Sequence, residues 1–586
     1  MDLEVYNRKK ETKVKTAEDI LEKARQWTTG SYDGDTQAYI QNLIDTDDPE
    51  LTEAFYKNLE FGTGGMRGIM GLGTNRINQY TLGMATQGLS NYILESFPGE
   101  KHRVAISYDC RNNSDRLAKI VANVFSANGI EVFLYEDLRP TPQLSWTVRH
   151  LNCHSGIMLT ASHNPKEYNG YKVYWNDGAQ IVPPHDKNII AEVEKITSPD
   201  QVKFEPNEQL IHFVGEELDK KFIDEVVSHS MSTAGVEDLK VVFTSLHGTS
   251  IKSIPAALEK AGYKRVFTVA EQAVPNGNFP TVESPNPEEP EALDMALDLA
   301  TSVEGDIVIG TDPDGDRIGL AVRDQNNLLR LLNGNQAGAV LTWYLLKKWT
   351  EKGLSGNEYV ASTIVTSDLI IDIAKGFGVD CPVSLTGFKW IADIIRRREA
   401  THTFIGGGEE SYGYMIGDFV RDKDAVTSTL IACEIAAWAK SQGRRFFDIL
   451  LDIYEQYGLY KERLISIVKK GKSGAEEIAE MMRELRANPP KQIAGKSVVR
   501  IDDVQKGTSL DVATGRETPL ELPASNVLQF YTEDGSKISA RPSGTEPKIK
   551  FYISVKGKLT NRDEFAAAEA AVEKQIDAII SDLKLG

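Results

Sequence analysis

Short runs of β-branched and aromatic residues alternate with longer amphipathic stretches over most of this chain. The short runs have the length and composition of strands, and the stretches between them repeat their apolar positions with the period of a helix. This alternation is typical of βαβ units and predicts an α/β fold with mixed or parallel sheets. The strand–helix–strand units are predicted at residues 103–108, 114–128 and 131–135; at 240–244, 253–261 and 265–269; and at 358–363, 367–377 and 381–385.

The two ends of the chain have different patterns. The first fifty residues are polar and charged, and their apolar spacing predicts a helical extension with helices at 17–26 and 36–44. Near the other end, residues 469–491 are charged and helical until a pair of prolines breaks the pattern, which predicts a connector. The last part is predicted to be a smaller α+β domain, with strands at 498–501, 527–531 and 548–555 and a helix at 562–583.

A chain of 586 residues is too long for a single hydrophobic core. Domains of roughly 100–200 residues predict about three to five of them. A stretch rich in Pro, Asn, Gly and Glu at 274–290 predicts a long surface loop. The predicted division is a helical extension at 1–50, α/β domains at 51–210, 211–330 and 331–468, and a connector with the last domain at 469–586.

The charge and the cysteines limit the possible partners and the location. The formal net charge of −19 argues against nucleic acid, because phosphate backbones are bound by a surplus of Lys and Arg. A small anionic substrate stays possible in a local basic pocket. Four scattered cysteines, a polar N-terminus and the lack of a long apolar run predict reduced thiols, no signal peptide, no membrane span and a cytoplasmic location.

The strongest chemical motif is a triplet of acids directly after a strand predicted at 306–310. Asp312, Asp314 and Asp316 alternate with a proline and a glycine, which can curl the loop so that the carboxylates converge on one cation. An EF-hand is excluded, because arginines occupy its sixth and twelfth loop positions. Three carboxylates suit Mg²⁺, which also takes an oxygen from a phosphate, better than Ca²⁺. A charged surface turn is the alternative.

A serine follows another strand-like run, at 156–159. The sequence TASHNP at 160–165 places Ser162 on a turn that the Asn-Pro pair stiffens, with His163 beside it as a group that could assist. No G-x-S-x-G elbow surrounds the serine, and side chains of adjacent residues seldom meet. The residues alone leave both a nucleophile and an ordinary turn open.

Two later motifs offer groups suited to a phosphorylated sugar. In the glycine-rich GGGEES, Glu409 and Ser411 alternate, so in extended backbone both face one side and could bind vicinal hydroxyls. The alternative for GGGEES is an ordinary glycine-rich turn, and the alternative for the later motif RPSGTEP is a surface hairpin. In RPSGTEP, a guanidinium, hydroxyls and a close-approaching glycine amide favour a phosphate site. Its candidate residues are Arg541, Ser543, Gly544 and Thr545.

The motifs, in this order, resemble those of the α-D-phosphohexomutase superfamily from about residue 61 to the end. TASHNP resembles the phosphoserine loop, DPDGDR the metal loop, GEES the sugar loop and RPSGTEP the phosphate-binding loop. SLHGT at 245–249 and TGFKW at 386–390 are most similar to the phosphoglucomutase/phosphopentomutase branch. The resemblance implies four domains around a central cleft, three of them related.

The resemblance also implies individual roles. Ser162 would carry the phosphoryl group and would bind Mg²⁺ together with the three aspartates. GEES would hold sugar hydroxyls, and RPSGTEP would hold the phosphate that is not transferred. Gly64 replaces a serine common in relatives, so no role is assigned to a serine there. The other active-site cations and proton carriers would be Arg67, His163, Lys172, Arg317 and Lys389.

The implied activity is interconversion of glucose 1-phosphate and glucose 6-phosphate through a phosphoserine enzyme. Glucose 1,6-bisphosphate would be the intermediate and activator, and the chain would act as a monomer or weak homo-oligomer. Phosphopentomutase and phosphomannomutase are alternatives of the same class. A sugar-phosphate phosphatase is less favoured, because a hydrolase does not need to hold a second phosphate. A non-catalytic sugar-phosphate sensor is the third class of hypothesis.

Overall fold

A computed structural model describes residues 17–469, 471–543 and 547–585. The chain begins with helices α1 (Ala17–Gln26), α2 (Gly34–Asp45) and α3 (Pro49–Phe55), and α1 has the predicted bounds. These helices pack around Trp27, whose ring lies edge-on to Tyr80 at 5.4 Å between centroids. Because Tyr80 belongs to the next domain, the extension is attached to that domain by an aromatic core.

The first α/β domain is built on a mixed sheet with helices on its two faces. Its elements are β1 (Gly65–Ile69), α4 (Gln79–Ser96), β2 (Arg103–Tyr108), α5 (Ser114–Ala127), β3 (Glu131–Tyr135), α6 (Thr141–His150), β4 (Ser155–Leu159), β5 (Tyr168–Trp175), α7 (His185–Glu194) and β6 (Ile211–Val214). The strand order is β1-β5-β4-β2-β3-β6. Strands β4, β2, β3 and β6 are parallel, and β5 and β1 run antiparallel at one edge.

The second α/β domain repeats this plan on a smaller scale. Its elements are α8 (Glu216–Ser228), β7 (Lys240–Thr244), α9 (Ser250–Lys260), β8 (Arg265–Thr268), α10 (Asp294–Val303), β9 (Ile307–Thr311), β10 (Ile318–Arg323) and β11 (Leu329–Leu332). The strand order is β11-β10-β9-β7-β8. Strands β9, β7 and β8 are parallel, whereas β10 and β11 form an antiparallel edge.

The third α/β domain follows the same rule. Its elements are α11 (Gly334–Lys352), β12 (Glu358–Thr363), α12 (Leu369–Gly376), β13 (Val383–Ser384), α13 (Phe388–Arg398), β14 (Thr403–Glu409), β15 (Gly413–Ile416), α14 (Ala425–Ser441) and α15 (Phe446–Tyr457). The strand order is β13-β12-β14-β15, with β15 antiparallel to β14. In all three domains the candidate loop therefore joins a parallel strand to an antiparallel one: β4 to β5, β9 to β10, and β14 to β15.

The C-terminal domain has a sheet of another kind. Its elements are β16 (Leu459–Val468), α16 (Gly471–Ala487), β17 (Gln492–Ile493), β18 (Lys496–Asp503), β19 (Thr508–Asp511), β20 (Glu517–Pro519), β21 (Leu528–Thr532), β22 (Lys537–Pro542), β23 (Lys548–Gly557) and α17 (Phe565–Asp582). Every pairing that the structure describes in this sheet is antiparallel. The predicted fold class, three related α/β domains and a smaller C-terminal domain around a cleft, is confirmed.

Two strands lie beside the predicted domain boundaries. Strand β6, which follows position 210, pairs with β3 of the first sheet. Strand β16, which precedes position 469, pairs along its whole length with β23 of the last sheet. The predicted helix after position 469 is present as α16, but it lies within the C-terminal domain because β16 already belongs to that domain. The chain passes from the third to the fourth domain at Gly458.

Four predicted strands have the observed bounds, the other predicted strands differ at one or both ends, and one predicted loop differs in character. Strands β2, β3, β7 and β12 have the predicted bounds. Residues 274–290 lack strands and helices, as predicted, but they are only partly at the surface. Phe279 and Asn286 are buried, because this loop packs against the first domain and reaches the central cleft. No helix in the described part of the chain is both long and apolar enough to cross a membrane.

Candidate active site

A cavity of about 750 Å³ lies where the loops of the α/β domains face the C-terminal sheet. Side chains from all four domains line it, so the site exists only in the assembled chain. Asp312 and Asp314 are fully buried next to this cavity, behind Asp316. Gly544 and Thr545 lie outside the described residues. The predicted site residues that line the cavity are Arg67, Ser162, His163, Lys172, Asp316, Arg317, Lys389, Glu409, Ser411 and Arg541.

Ser162 is held rigidly in the loop between β4 and β5. Its backbone has a φ of +52°, in the left-handed region, and its N–H donates to Thr160 Oγ1 at 2.8 Å. Its Oγ donates to Asp312 Oδ2 at 2.7 Å and lies 3.2 Å from His163 Nδ1. A serine hydroxyl and an aspartate 150 positions apart in the chain are thus in direct contact.

The three predicted acids converge as expected. One carboxylate oxygen from each of Asp312, Asp314 and Asp316 lies within 4.8 Å of the other two, and no other such group occurs among the described residues. The Oδ1 atoms of Asp314 and Asp316 are buried without a hydrogen-bond partner. Buried carboxylate oxygens without donors are costly unless a cation satisfies them. The donor set is all oxygen, which fits Mg²⁺.

Two lysines compensate part of this negative charge. Lys172 Nζ lies 2.6 Å from Asp314 Oδ2, and Lys423 Nζ lies 3.2 Å from Asp316 Oδ2. Burial and the neighbouring carboxylates raise the pKa of Asp312 well above its usual range. Burial would also raise the pKa of Asp314, but the Lys172 ammonium reverses this and holds it below its usual range. The two lysines therefore pair with Asp314 and Asp316, and Asp312, which lacks a lysine partner, is the acid whose pKa rises.

His163 is a neutral base beside the serine. Burial, followed by the positive charges of Arg317 and Arg67, lowers the pKa of this imidazole to about 2. Arg67 itself extends into the cleft mouth, where its Nη1 donates to Asn164 Oδ1 at 3.4 Å. With so low a pKa the His163 ring stays neutral and is a weak base, so it suits a hydrogen bond with the Ser162 hydroxyl better than removal of a proton.

The predicted sugar loop lies on the third domain. Glu409 is buried, and its Oε1 accepts the N–H of Gly387 at 2.7 Å. Burial raises the pKa of Glu409. Lys389 follows Gly387 closely and donates to the carbonyl of Thr63 in the first domain at 3.1 Å. Ser411 lines the cavity next to this group. The TGFKW segment thus supports the sugar loop and reaches across to the first domain.

The predicted phosphate loop faces these residues from the C-terminal sheet. Arg541 on β22 lies directly opposite Lys550 on β23, and both line the cavity. Arg541 Nη1 donates to the hydroxyl of Tyr552 at 3.5 Å. The N–H of Ser543 donates to the carbonyl of Lys548 at 2.7 Å. Cationic side chains therefore face the cavity on this wall.

Arg317 makes a contact that sequence reasoning missed. Its Nη1 forms an ion pair with Glu288, which comes from the loop predicted to be only a surface feature. The backbone N–H of Arg317 donates to Asp312 Oδ1 at 3.0 Å, so Arg317 also contacts the acid cluster. The glutamates in the sequence NPEEPEAL gave no periodic signal that distinguished one facing the cavity.

Lys423 and Arg111 were also missed. Lys423 belongs to the charged run RDKD at 421–424, which stands between apolar stretches and could have been noticed for that reason. Arg111 is buried and donates to backbone carbonyls of the serine loop, including that of Ser162 at 2.6 Å. Arg111 closely follows the strand predicted at 103–108, but contacts with a loop more than 50 positions away cannot be inferred from spacing.

Comparisons with known proteins agree with this arrangement. Models of the phosphoglucomutase/phosphomannomutase α/β/α domains I, II and III match residues 58–200, 220–325 and 333–457. The phosphoglucomutase of Staphylococcus epidermidis is 37% identical over 531 residues, which cover 88% of this chain and 96% of that protein. The phosphoglucomutase of Staphylococcus aureus is 37% identical over 512 residues, covering 87% and 92%.

Solved structures show the same fold at lower sequence identity. The open form of Paramecium parafusin, a phosphoglucomutase, has a TM-score of 0.66 at 19% identity and covers 90% of this chain and 96% of its own. A Burkholderia thailandensis protein of the phosphoglucomutase/phosphomannomutase family has a TM-score of 0.63 at 16% identity, covering 89% and 97%. With the family models matching more than half of its residues, this chain belongs to the phosphoglucomutase/phosphomannomutase family, within the α-D-phosphohexomutase superfamily.

Proposed function

We propose that this chain is a phosphoglucomutase that interconverts glucose 1-phosphate and glucose 6-phosphate. The observation that carries the proposal is the contact between Ser162 Oγ and Asp312 Oδ2 at 2.7 Å, inside a cavity lined by cations and carboxylates. The names of the Staphylococcus relatives support the choice of glucose phosphates. Cytoplasmic location and a monomeric or weakly associated state stay predictions from the sequence.

Asp312, Asp314, Asp316 and Ser162 are the residues that would hold Mg²⁺. Their fit rests on the buried carboxylate oxygens that have no hydrogen-bond donor. When bound, the ion would offset the negative charge that the phosphoryl group carries during transfer. The lysines beside the acids keep their positive charge, since burial would lower the pKa of Lys172 but Asp314 and Asp316 raise it.

Four residues of the first domain would each have a separate role in the transfer. Phosphorylated Ser162 would give its phosphoryl group to a free sugar hydroxyl, so that its P–O bond breaks as a new one forms at the sugar. The sugar hydroxyl loses a proton and Ser162 Oγ gains one, and the neutral ring of His163 can hydrogen-bond this oxygen but is too weak a base to keep the proton. Lys172 is better suited to hold charge than to remove a proton, because it remains an ammonium. Arg67 would bind phosphate oxygens at the cleft mouth.

Two further groups of residues would hold the sugar in place. Glu409 and Ser411 would accept and donate hydrogen bonds to adjacent hydroxyls, with Lys389 and Arg317 beside them. Arg541, with Ser543, Gly544 and Thr545, would bind the phosphate that points away from the serine. A glucose 1,6-bisphosphate intermediate must reverse its orientation before the second transfer. A fixed clamp explains how either phosphate can occupy the distal position.

The decisive test compares Ser162→Ala with Ser155→Ala, a buried serine on the adjacent strand whose Oγ bonds only the carbonyl of Tyr174. Both are given glucose 1-phosphate, glucose 1,6-bisphosphate and Mg²⁺, and glucose 6-phosphate and free phosphate are measured. The wild type and Ser155→Ala should make glucose 6-phosphate and gain one phosphoryl group by intact mass. Ser162→Ala should do neither. Release of free phosphate instead would indicate a phosphatase, and turnover by Ser162→Ala would overturn the proposal.

A further inference from the structure

A buried arginine outside the cavity lining holds the backbone of the serine loop. Arg111 lies at the end of β2, and its side chain is inaccessible to solvent. Its Nη2 donates to the carbonyl of Ser162 at 2.6 Å and also to that of Asn164. Its Nη1 donates to the carbonyls of Pro165 at 2.8 Å and Tyr168 at 2.9 Å. One guanidinium thus bonds four carbonyls of the segment that carries the nucleophile.

The guanidinium is itself fixed from behind. Arg111 Nε lies 3.4 Å from Asp109 Oδ2, and both side chains are fully buried. Asp109 Oδ1 accepts the backbone N–H of Arg111 and the hydroxyl of Ser114, each at 2.9 Å. The planar fork is therefore anchored to the end of β2 and the start of α5. Its position is set by the sheet rather than by the loop that it holds.

This hold acts on a backbone conformation that a serine rarely adopts. Ser162 has a φ of +52°, and left-handed backbone is disfavoured for residues with a Cβ. Its carbonyl is bound by Arg111 and its N–H by Thr160 Oγ1. Both peptide groups around the serine are therefore held by side chains, one within the loop and one outside it. In this conformation the Oγ points at Asp312 rather than away from it.

The second domain covers the other face of the guanidinium. The ring of Phe279 lies over Arg111, with the guanidinium carbon 5.3 Å from the ring centroid. A Cβ added at Gly277 would lie 2.4 Å from the backbone nitrogen of Asn112, so the two backbones are in close contact. The same domain carries Asp312. Packing of the second domain against the first thus places the acid cluster beside Ser162 and the ring of Phe279 over Arg111.

We propose that Arg111 is a positioning residue for phosphoryl transfer. Its hydrogen bonds keep the backbone of the Ser162 loop in the conformation in which Oγ faces the acid cluster. Because Phe279 of the second domain packs over Arg111, this effect depends on the contact between the first and second domains. The inference rests on the proposed mutase function for its kinetic consequences. Arg111 touches no reacting atom. Its loss should therefore slow transfer without weakening the binding of the phosphosugar, which other residues contact.

The test replaces Arg111 with lysine, which keeps the charge but cannot span four carbonyls with one ammonium. Arg76→Lys is the matched control, because Arg76 is another buried arginine of this domain that donates to backbone carbonyls, those of Glu53 and Asn75, and pairs with Glu50 rather than with the serine loop. Steady-state turnover, phosphoryl loading of Ser162 from glucose 1,6-bisphosphate, melting temperature and backbone hydrogen exchange over residues 160–170 are measured for both variants.

For Arg111→Lys we expect kcat and the loading rate to fall by about 100-fold, the effect of a small misplacement of a reacting atom. KM should change by less than about threefold, and exchange over residues 160–170 should accelerate. Arg76→Lys should lose melting temperature without these changes. Normal kcat in folded Arg111→Lys, or a rise in KM alone, would overturn the proposal. An unchanged exchange rate would do so even if the wild type proved not to be a mutase.

A second variant decides the matter if Arg111→Lys does not fold. Phe279→Leu keeps an apolar side chain but removes the aromatic face over the guanidinium. We expect kcat to fall by about threefold to tenfold with KM unchanged, in line with the loss of one cation–π contact. A kcat equal to that of the wild type would show that docking of the second domain does not act through Arg111.

Discussion

Ionisable side chains that lie close together in the sequence have different pKa values at this site, because each has different neighbours. Asp312 and Asp314 are two positions apart and equally buried, yet their pKa values shift in opposite directions. Lys172 contacts Asp314 and not Asp312, and that contact decides the direction. Glu410 shows the same dependence in another place: burial and the neighbouring Glu409 carboxylate raise its pKa to about 7.

The raised pKa of Glu410 predicts a pH-dependent stability. A carboxyl that binds its proton more tightly when folded stabilises the fold below its ordinary pKa of about 4.5 and loses that contribution as pH rises to about 7. Since the side chain borders the cavity, we expect Glu410→Gln to gain on the order of 1–2 kcal/mol over the wild type between pH 5 and pH 8. Urea unfolding at both pH values measures the difference.

The control for this measurement is Glu351→Gln. Hydrogen bonds from Lys348 and Lys347 lower the pKa of Glu351, so its titration lies below pH 5. This variant should therefore keep the pH dependence of the wild type over the same range. An identical pH dependence for Glu410→Gln and the wild type would mean that Glu410 titrates normally in the folded chain.

At the scale of elements, the same strand arrangement contributes one loop to the site from each of the three α/β domains. Each α/β domain offers the loop between a parallel strand and an antiparallel neighbour, and these loops bring Ser162, the aspartates and Glu409 to or beside one cavity. Parallel strands end at the same edge of a sheet, which explains why functional groups collect there. The repetition is visible in the topology although the sequences of the repeats differ.

The sequence predicted the inner strands well because their signal is local. Strands such as β2 and β12 are buried on both faces, so each has an apolar centre without polar alternation, VAI in β2 and YVA in β12. The edge strand β11 and the short β19 and β20 are half-exposed and have no such pattern. The motif residues were found because their chemistry is unusual. Arg111 and Glu288 were not, because their partners lie far away in the chain.

The turn of the metal loop supports a prediction at this scale. Gly315 has a φ of +65°, and a Cβ there would lie 2.9 Å from Pro140 Cβ. Gly315→Ala should therefore shift the loop as well as strain it, which lowers unfolding free energy by about 1–3 kcal/mol and Mg²⁺ affinity by about tenfold or more. Calorimetric titration with Mg²⁺ measures the affinity, and urea unfolding measures the stability.

Gly507→Ala separates backbone strain from displacement. Gly507 has a similar φ of +72°, but no atom lies within 4 Å of the Cβ that would be added. This control should lose stability from strain alone and keep its Mg²⁺ affinity. If Gly315→Ala bound Mg²⁺ as tightly as Gly507→Ala does, the curl of the aspartate loop would not matter for the ion.

At the scale of the whole molecule, polar bonds as well as a shared apolar core join neighbouring domains. The backbone N–H of Ile318 in the second domain donates to the carbonyl of Tyr412 in the third at 3.0 Å. Lys537 of the C-terminal sheet donates to the carbonyl of Thr366 in the third domain at 2.8 Å. One chain crossing, at Gly458 with a φ of +105°, connects that sheet to the third domain. A single crossing would let the C-terminal domain move as a unit, although its apolar contacts with the third domain resist separation.

A cleavable cross-link tests whether this movement is needed for turnover. The side chain of Gln325 in the second domain donates to the carbonyl of Arg562 in the C-terminal domain at 3.1 Å, so Gln325→Cys and Asp563→Cys place two thiols at this contact. The four native cysteines are buried or half-buried, and burial raises the pKa of each, so a maleimide should react with them slowly.

The cross-linked protein should turn over glucose 1-phosphate about tenfold more slowly or worse, because the bisphosphate can reverse its orientation only when the cleft opens. Each single-cysteine variant treated with the same disulfide-containing bismaleimide should keep its rate, which controls for modification alone. Reduction of the linker should restore turnover in the double variant, which excludes irreversible damage. Full turnover in a completely cross-linked sample would mean that the intermediate reorients within a closed cleft, and the clamp would then have to release it without domain motion.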